Sequence, residues 1–115
     1  METRGTKVSF GSHGLIAVSC GRINSRQIEA SRKAITRIVS KTGNMWVRVF
    51  PDRPYTQKAA EVPMGKGKGD VQGYEVEVLP GRVIFEIDGV TDAVAKEALH
   101  KAGSKLPVKT KVVYR

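Results

Sequence analysis

The residues Met64-Gly65-Lys66-Gly67-Lys68-Gly69-Asp70 alternate glycine with lysine. Glycine lets backbone N–H groups come close to a ligand and adopt positive φ, and lysine adds mobile cations. The segment therefore suits contact with a phosphate backbone, without reading of bases. It is not a P-loop, because Gly69 follows Lys68 where a Ser or Thr would hold magnesium. Nor is it a dinucleotide fingerprint, since Asp70 stands where the third glycine belongs. Taken alone, the segment reads equally as a flexible solvated loop.

Other chemistry is sparse. His13, in a glycine turn, and His100, on the polar side of a helix, read as surface residues. One cysteine and two histidines cannot assemble a structural zinc site of the usual spacing. Cys20 reads as a small buried hydrophobe. Glu75 and Glu77 fall on one face of one strand and read as a solvated sheet face rather than an acid–base pair. The sequence thus predicts no catalytic residue, no metal and no cofactor.

The cations are unevenly placed. The chain has 115 residues and a net charge of +9; residues 1–69 hold thirteen basic and four acidic residues (13 − 4 = +9), and residues 70–115 hold seven of each. Confinement to one part of the chain points to a positive surface directed at a polyanion, and a spread wider than a nucleotide pocket favours extended RNA or DNA. The length fits a single domain, residues 1–115. The longest apolar run, residues 15–18, is far short of the roughly 20 residues of a membrane span, and the start lacks an apolar signal region. With one cysteine there is no internal disulfide, which suits a reducing compartment.

These residues need elements to position them. Residues 7–10 and 15–20 read as a hairpin about the turn 11–14. Asn24 and Gln27 have capping-box spacing, and Ile23 and Ile28 that of a hydrophobic staple. They open a helix over about 25–42, closed by Gly43. At 3.6 residues per turn its core side is Ile28, Ser31, Ile35, Ile38 and Val39, with Arg26, Lys33, Arg37 and Lys41 opposite. A strand over 45–50 follows, placing Trp46, Arg48 and Phe50 on one face, then a mobile basic loop over about 52–73. Strands over 74–79 and 82–87 flank the hairpin turn Pro80-Gly81. A second helix over about 92–102 takes Thr91 as N-cap, and residues 108–114 form a last strand. The order β-β-α-β-loop-β-β-α-β predicts an α+β fold, with both helices on one face of a largely antiparallel sheet.

Four stretches occur in register: Gly21-Arg22-Ile23-Asn24-Ser25-Arg26-Gln27-Ile28-Glu29-Ala30; Trp46-Val47-Arg48-Val49-Phe50-Pro51-Asp52-Arg53-Pro54; the Gly-Lys loop; and Lys105-Leu106-Pro107-Val108-Lys109-Thr110. Together they closely resemble the large-subunit ribosomal protein sixteen family of bacterial type, over nearly the whole chain. The resemblance implies an α/β sandwich that binds large-subunit ribosomal RNA, with its basic loop directed at the transfer RNA sites. It implies ribosomal RNA contacts at Arg26, Lys33, Arg37, Arg48 and Arg53, and the basic residues Lys7, Arg22 and Lys41 are expected to join them. It places Met64, Gly65, Lys66, Gly67, Lys68 and Gly69 on the loop near transfer RNA. Members usually begin with a further basic extension that threads into RNA, whereas this sequence begins Met1-Glu2-Thr3-Arg4, so part of that anchor is expected to be missing. Pro63 stands where Arg is common before the loop, removing a cation and stiffening the entry.

The expected function is therefore a non-enzymatic structural constituent of the large ribosomal subunit, cytoplasmic or in an organellar ribosome. Its partners would be ribosomal RNA, transfer RNA and neighbouring ribosomal proteins, with no membrane partner, and it would be a monomer outside the ribosome. The cations of residues 1–69 are expected to form one continuous surface. A small phosphate-handling enzyme and a free-standing nucleic-acid-binding module are the rival readings.

Overall fold

Asn24 and Gln27 form the reciprocal capping box that their spacing predicts. Asn24 Oδ1 accepts from the Gln27 N–H at 2.8 Å, and Gln27 Oε1 accepts from the Asn24 N–H at 2.9 Å. They start helix α1, Ser25–Val39, whose buried residues are Ile28, Ser31, Ile35 and Val39, with Ile38 partly buried beside them. Helix α2, Asp92–Gly103, is capped by Thr91, which accepts from the Val94 N–H. Asp92 in its first turn and Lys101 in its last complement the helix dipole. The two helices pack on each other through Ile and Val side chains of α1 and Ala95, Ala98, Leu99 and Ala102 of α2. Ser31, fully buried, satisfies its hydroxyl by donating to the Ala102 carbonyl at 3.0 Å.

The computed structural model describes residues 7–39, 43–51, 53–56 and 71–115, with backbone alone at 53–56 and 71–72. Among these, seven strands accompany the helices: β1 (His13–Ala17), β2 (Gly21–Asn24), β3 (Asn44–Val47), β4 (Arg53–Thr56), β5 (Val71–Val78), β6 (Val83–Asp88) and β7 (Thr110–Tyr114). They make two antiparallel sheets, one in the order β3-β6-β1-β7 and the other β2-β5-β4. The fold is α+β as expected, but with two sheets rather than one. In the four-stranded sheet Leu15 lies opposite Phe85 and Val112, and His13 opposite Ile87 and Tyr114. These residues share the face on which the helices lie, where Leu15 approaches Gly103 of α2. None of the described helices is long and apolar enough to cross a membrane.

Several local expectations are corrected. The 7–10 and 15–20 hairpin does not form: residues 7–10 are not a strand, and β1 begins at His13, inside the expected turn. The turn at Pro80-Gly81 is present, with Gly81 at φ 97° and the Arg82 N–H donating to the Leu79 carbonyl at 3.1 Å. The strands on either side of it nevertheless do not pair. β5 takes β2 and β4 as neighbours and β6 takes β1 and β3, so the turn carries the chain from one sheet to the other. The reason lies in β6, where Val83, Ile84, Phe85, Glu86 and Ile87 are all buried. Such a strand needs a neighbour on each edge and cover on each face. The expected loop over 52–73 contains β4 and the start of β5; the residues between them lie outside those described. Cys20, expected inside, is exposed between β1 and β2.

The two faces of α1 make opposite demands on substitution. Ile35→Ala, which empties a fully buried position, should lower unfolding free energy by about 2–5 kcal/mol in chemical denaturation. Arg37→Gln should change it by no more than about 0.5 kcal/mol. A larger loss for Arg37→Gln than for Ile35→Ala would mean that the faces are reversed.

Candidate nucleic-acid interface

Arg26, Lys33 and Arg37 stand seven and four residues apart on α1, which brings them within about 40° of one another around the helix axis. All three are exposed, on the side away from Ile28, Ser31, Ile35 and Val39. None is paired with a described carboxylate. Arg32 lies off this row and is held by Glu29 through two hydrogen bonds of 2.8 and 2.7 Å, which pull the exposed Glu29 carboxyl below its ordinary value. The row is thus three cations that no described carboxylate neutralises, on a rigid support.

Arg22 projects from β2, directly before α1, with a side chain 56% exposed. Its Nη1 lies 3.7 Å from Glu75 Oε1, and Glu77 is its cross-strand neighbour, so carboxylates offset part of its charge. The Glu75 and Glu77 pair does share a strand face, as expected; Glu77 is exposed and the Glu75 side chain is largely covered.

Arg48 differs from the other predicted contacts. Its guanidinium forms an ion pair with Glu86, a carboxylate with no solvent exposure. Glu86 Oε1 also accepts the backbone N–H groups of Ser9, Phe10 and Gly11 at 3.0, 2.7 and 2.8 Å. Burial pushes the Glu86 carboxyl up, but those three donors and Arg48 together hold it below the usual carboxylate value. Glu86 alternates with Phe85 and Ile87, so this cluster sits on the sheet face opposite the helices. Residues 7–11 lie across that face. Exposed Lys7 belongs here, since its carbonyl accepts from Arg48 Nη1 at 3.2 Å. The expected single basic surface is therefore divided: α1 carries one group of cations, and Lys7 with Arg48 forms another across the sheet. Arg48 has its charge committed internally. Lys41 and the loop residues Met64, Gly65, Lys66, Gly67, Lys68 and Gly69 lie outside the described residues, as does the side chain of Arg53, whose backbone opens β4.

His13 is a further correction. It is 6% exposed rather than a surface residue, and its Nε2 lies 2.8 Å from Asp92 Oδ1. With a carboxylate accepting there, Nε2 donates, and Nδ1 shares a hydrogen bond of 2.8 Å with the Ser12 hydroxyl. The His13 bond, first among its causes, keeps the exposed Asp92 carboxyl below its ordinary value. The row Ser12, His13, Asp92 copies the connectivity of a hydrolytic triad, and it fastens β1 to the first turn of α2.

Comparison with known proteins decides between these chemistries. The family model for ribosomal protein L16p/L10e matches residues 1–113. The chain belongs to that family. It is 53% identical over 115 residues to the large ribosomal subunit protein uL16 of Halorhodospira halophila, covering all of this chain and 84% of the relative. It is 54% identical over 111 residues to the uL16 of Bartonella quintana, covering 96% of this chain and 81% of the relative. The family consists of ribosomal proteins and not enzymes, so the phosphate-handling enzyme reading is dropped, and the Ser12-His13-Asp92 row is structural.

The Glu86 cluster predicts an acid-sensitive fold. Its carboxyl titrates lower when folded than when unfolded, so its contribution is complete above about pH 5 and is lost as pH falls through the folded value. Glu86→Gln should lower stability by about 2 kcal/mol at neutral pH, with a smaller further loss than wild type between about pH 6 and about pH 3 in thermal unfolding. An identical acid loss in both proteins would remove Glu86 from this role.

Proposed function

We propose that the protein is a non-catalytic constituent of the large ribosomal subunit that binds ribosomal RNA through the outer face of α1. The observation that carries this reading is the row Arg26, Lys33 and Arg37, exposed and paired with no described carboxylate, on a helix whose opposite face is locked into the core. Lys7 and Arg22 add exposed cations, and Lys41 and Arg53 extend the set by sequence. Family membership and the relatives named for the large ribosomal subunit support the same reading. Contacts to phosphates and 2′-hydroxyls, rather than a base code, suit such a surface. The role of Arg48 is to hold residues 7–11 in place through Glu86, not to neutralise a phosphate. The Gly-Lys loop, including Lys66 and Lys68, is assigned to the neighbourhood of transfer RNA on sequence alone. Neighbouring ribosomal proteins complete the set of partners, the site of action is the ribosome, and the free protein is a monomer.

Binding to a large-subunit ribosomal RNA fragment, measured by filter retention across a salt series, tests the proposal. Each phosphate contact should add about 0.7–0.9 to the slope of log affinity against log salt, so replacing Arg26, Lys33 and Arg37 together by Gln should flatten the slope by about 2–3. An unchanged slope in a folded triple variant would refute the assignment to α1. Equal affinity for duplex DNA would favour the free-standing module instead.

A further inference from the structure

Phe10 is held in an unusual way. It belongs to an irregular stretch, yet its backbone N–H and those of Ser9 and Gly11 are all fixed on the buried Glu86 carboxylate. Phe10 nonetheless remains 55% exposed. The ring stacks on Trp46 of β3 with centroids 5.9 Å apart and planes 27° apart, and the Arg48 guanidinium lies 5.2 Å from its centroid. Phe50, four residues beyond Trp46, is 78% exposed. An aromatic ring left in water on a rigid backbone marks a contact site, because its apolar surface is already ordered and loses little entropy on binding.

The chemistry of the partner follows from the surroundings. Residues 7–11 and 43–51, which build the patch, contain no acidic residue, and the carboxylate beneath them is sealed from solvent. The surface shown to a partner is therefore aromatic rings beside the cation Lys7, with the Arg48 charge already met by Glu86. That combination matches an unpaired nucleotide, with its base on the ring and its phosphate near Lys7. We propose that Phe10 and Trp46 form a stacking step for one unpaired base of the ribosomal RNA, on the sheet face opposite α1. This rests on the RNA-binding reading above and adds a second contact, non-ionic in character.

Trp46 is the only tryptophan in the chain, so its fluorescence reports directly on the step. Titration of the full chain with the large-subunit ribosomal RNA fragment should quench it. Phe10→Ala should weaken binding about tenfold with no change in salt slope, as expected for losing one base–aromatic stack. Phe10→Tyr, which keeps the ring, should bind as wild type, and Phe10→Leu, which keeps apolar bulk only, should behave like Phe10→Ala. Circular dichroism identifies any variant that fails to fold, and the Tyr and Leu pair then carries the comparison. Salt-dependent binding by wild type, without quenching and with equal affinity for the Leu and Tyr variants, would overturn the stacking step and leave the α1 reading standing. Retained RNA affinity in Phe10→Ala with loss of a neighbouring ribosomal protein from reconstituted subunits would also overturn it, in favour of a protein contact. Absence of RNA binding by wild type would overturn both.

Discussion

The burial of Ile28, Ser31, Ile35 and Val39 along one side of α1 constrains everything proposed for the other side. Each large apolar side chain removed from water contributes on the order of 1.5–3 kcal/mol, and rotating the helix would forfeit several of them at once. The Ser31 hydroxyl tightens the constraint, because any rotation would strand it away from the Ala102 carbonyl without a partner. With rotation fixed, Arg26, Lys33 and Arg37 are held on the side away from the core, with no described carboxylate to pair with them. A cation placed by packing in this way requires no carboxylate to hold it in position.

The second anchoring point works through the opposite logic. Glu86 is an acid at the centre of a buried strand, which would be costly if it were not fully satisfied. Three main-chain donors and Arg48 satisfy it, and in doing so they tie residues 7–11 across the sheet face that the helices leave bare. One arginine of the basic N-terminal part of the chain thus serves the fold, while Arg26 and Arg37 on α1 are paired with no described carboxylate. Arginine content alone does not separate these two uses; the partner of each guanidinium does.

What was legible in the sequence was local. The capping box of Asn24 and Gln27, the Thr91 cap and the 3.6-residue alternation of α1 are set by residues within a few positions of one another, and all three are present. The α+β class and the family resemblance also held. Strand partnership was not legible, because β6 finds its neighbours far away in the chain, and the turn at Gly81 is compatible with either pairing. His13 and Asp92 are 79 residues apart, and nothing near His13 announces a partner. The Glu86 site is hidden for a different reason: three of its partners are backbone N–H groups, which every residue but proline possesses and no side-chain pattern marks. The aromatic step of Phe10 and Trp46 likewise joins segments that only the folded chain brings together.

The most direct measurement is a cryo-electron microscopy reconstruction of large ribosomal subunits assembled with this chain. The account predicts that the Arg26, Lys33 and Arg37 side chains lie within about 4 Å of ribosomal RNA phosphate oxygens, with α1 running along the RNA backbone. A subunit in which that face of α1 looks into solvent, or is covered by protein with no phosphate in reach, would contradict it.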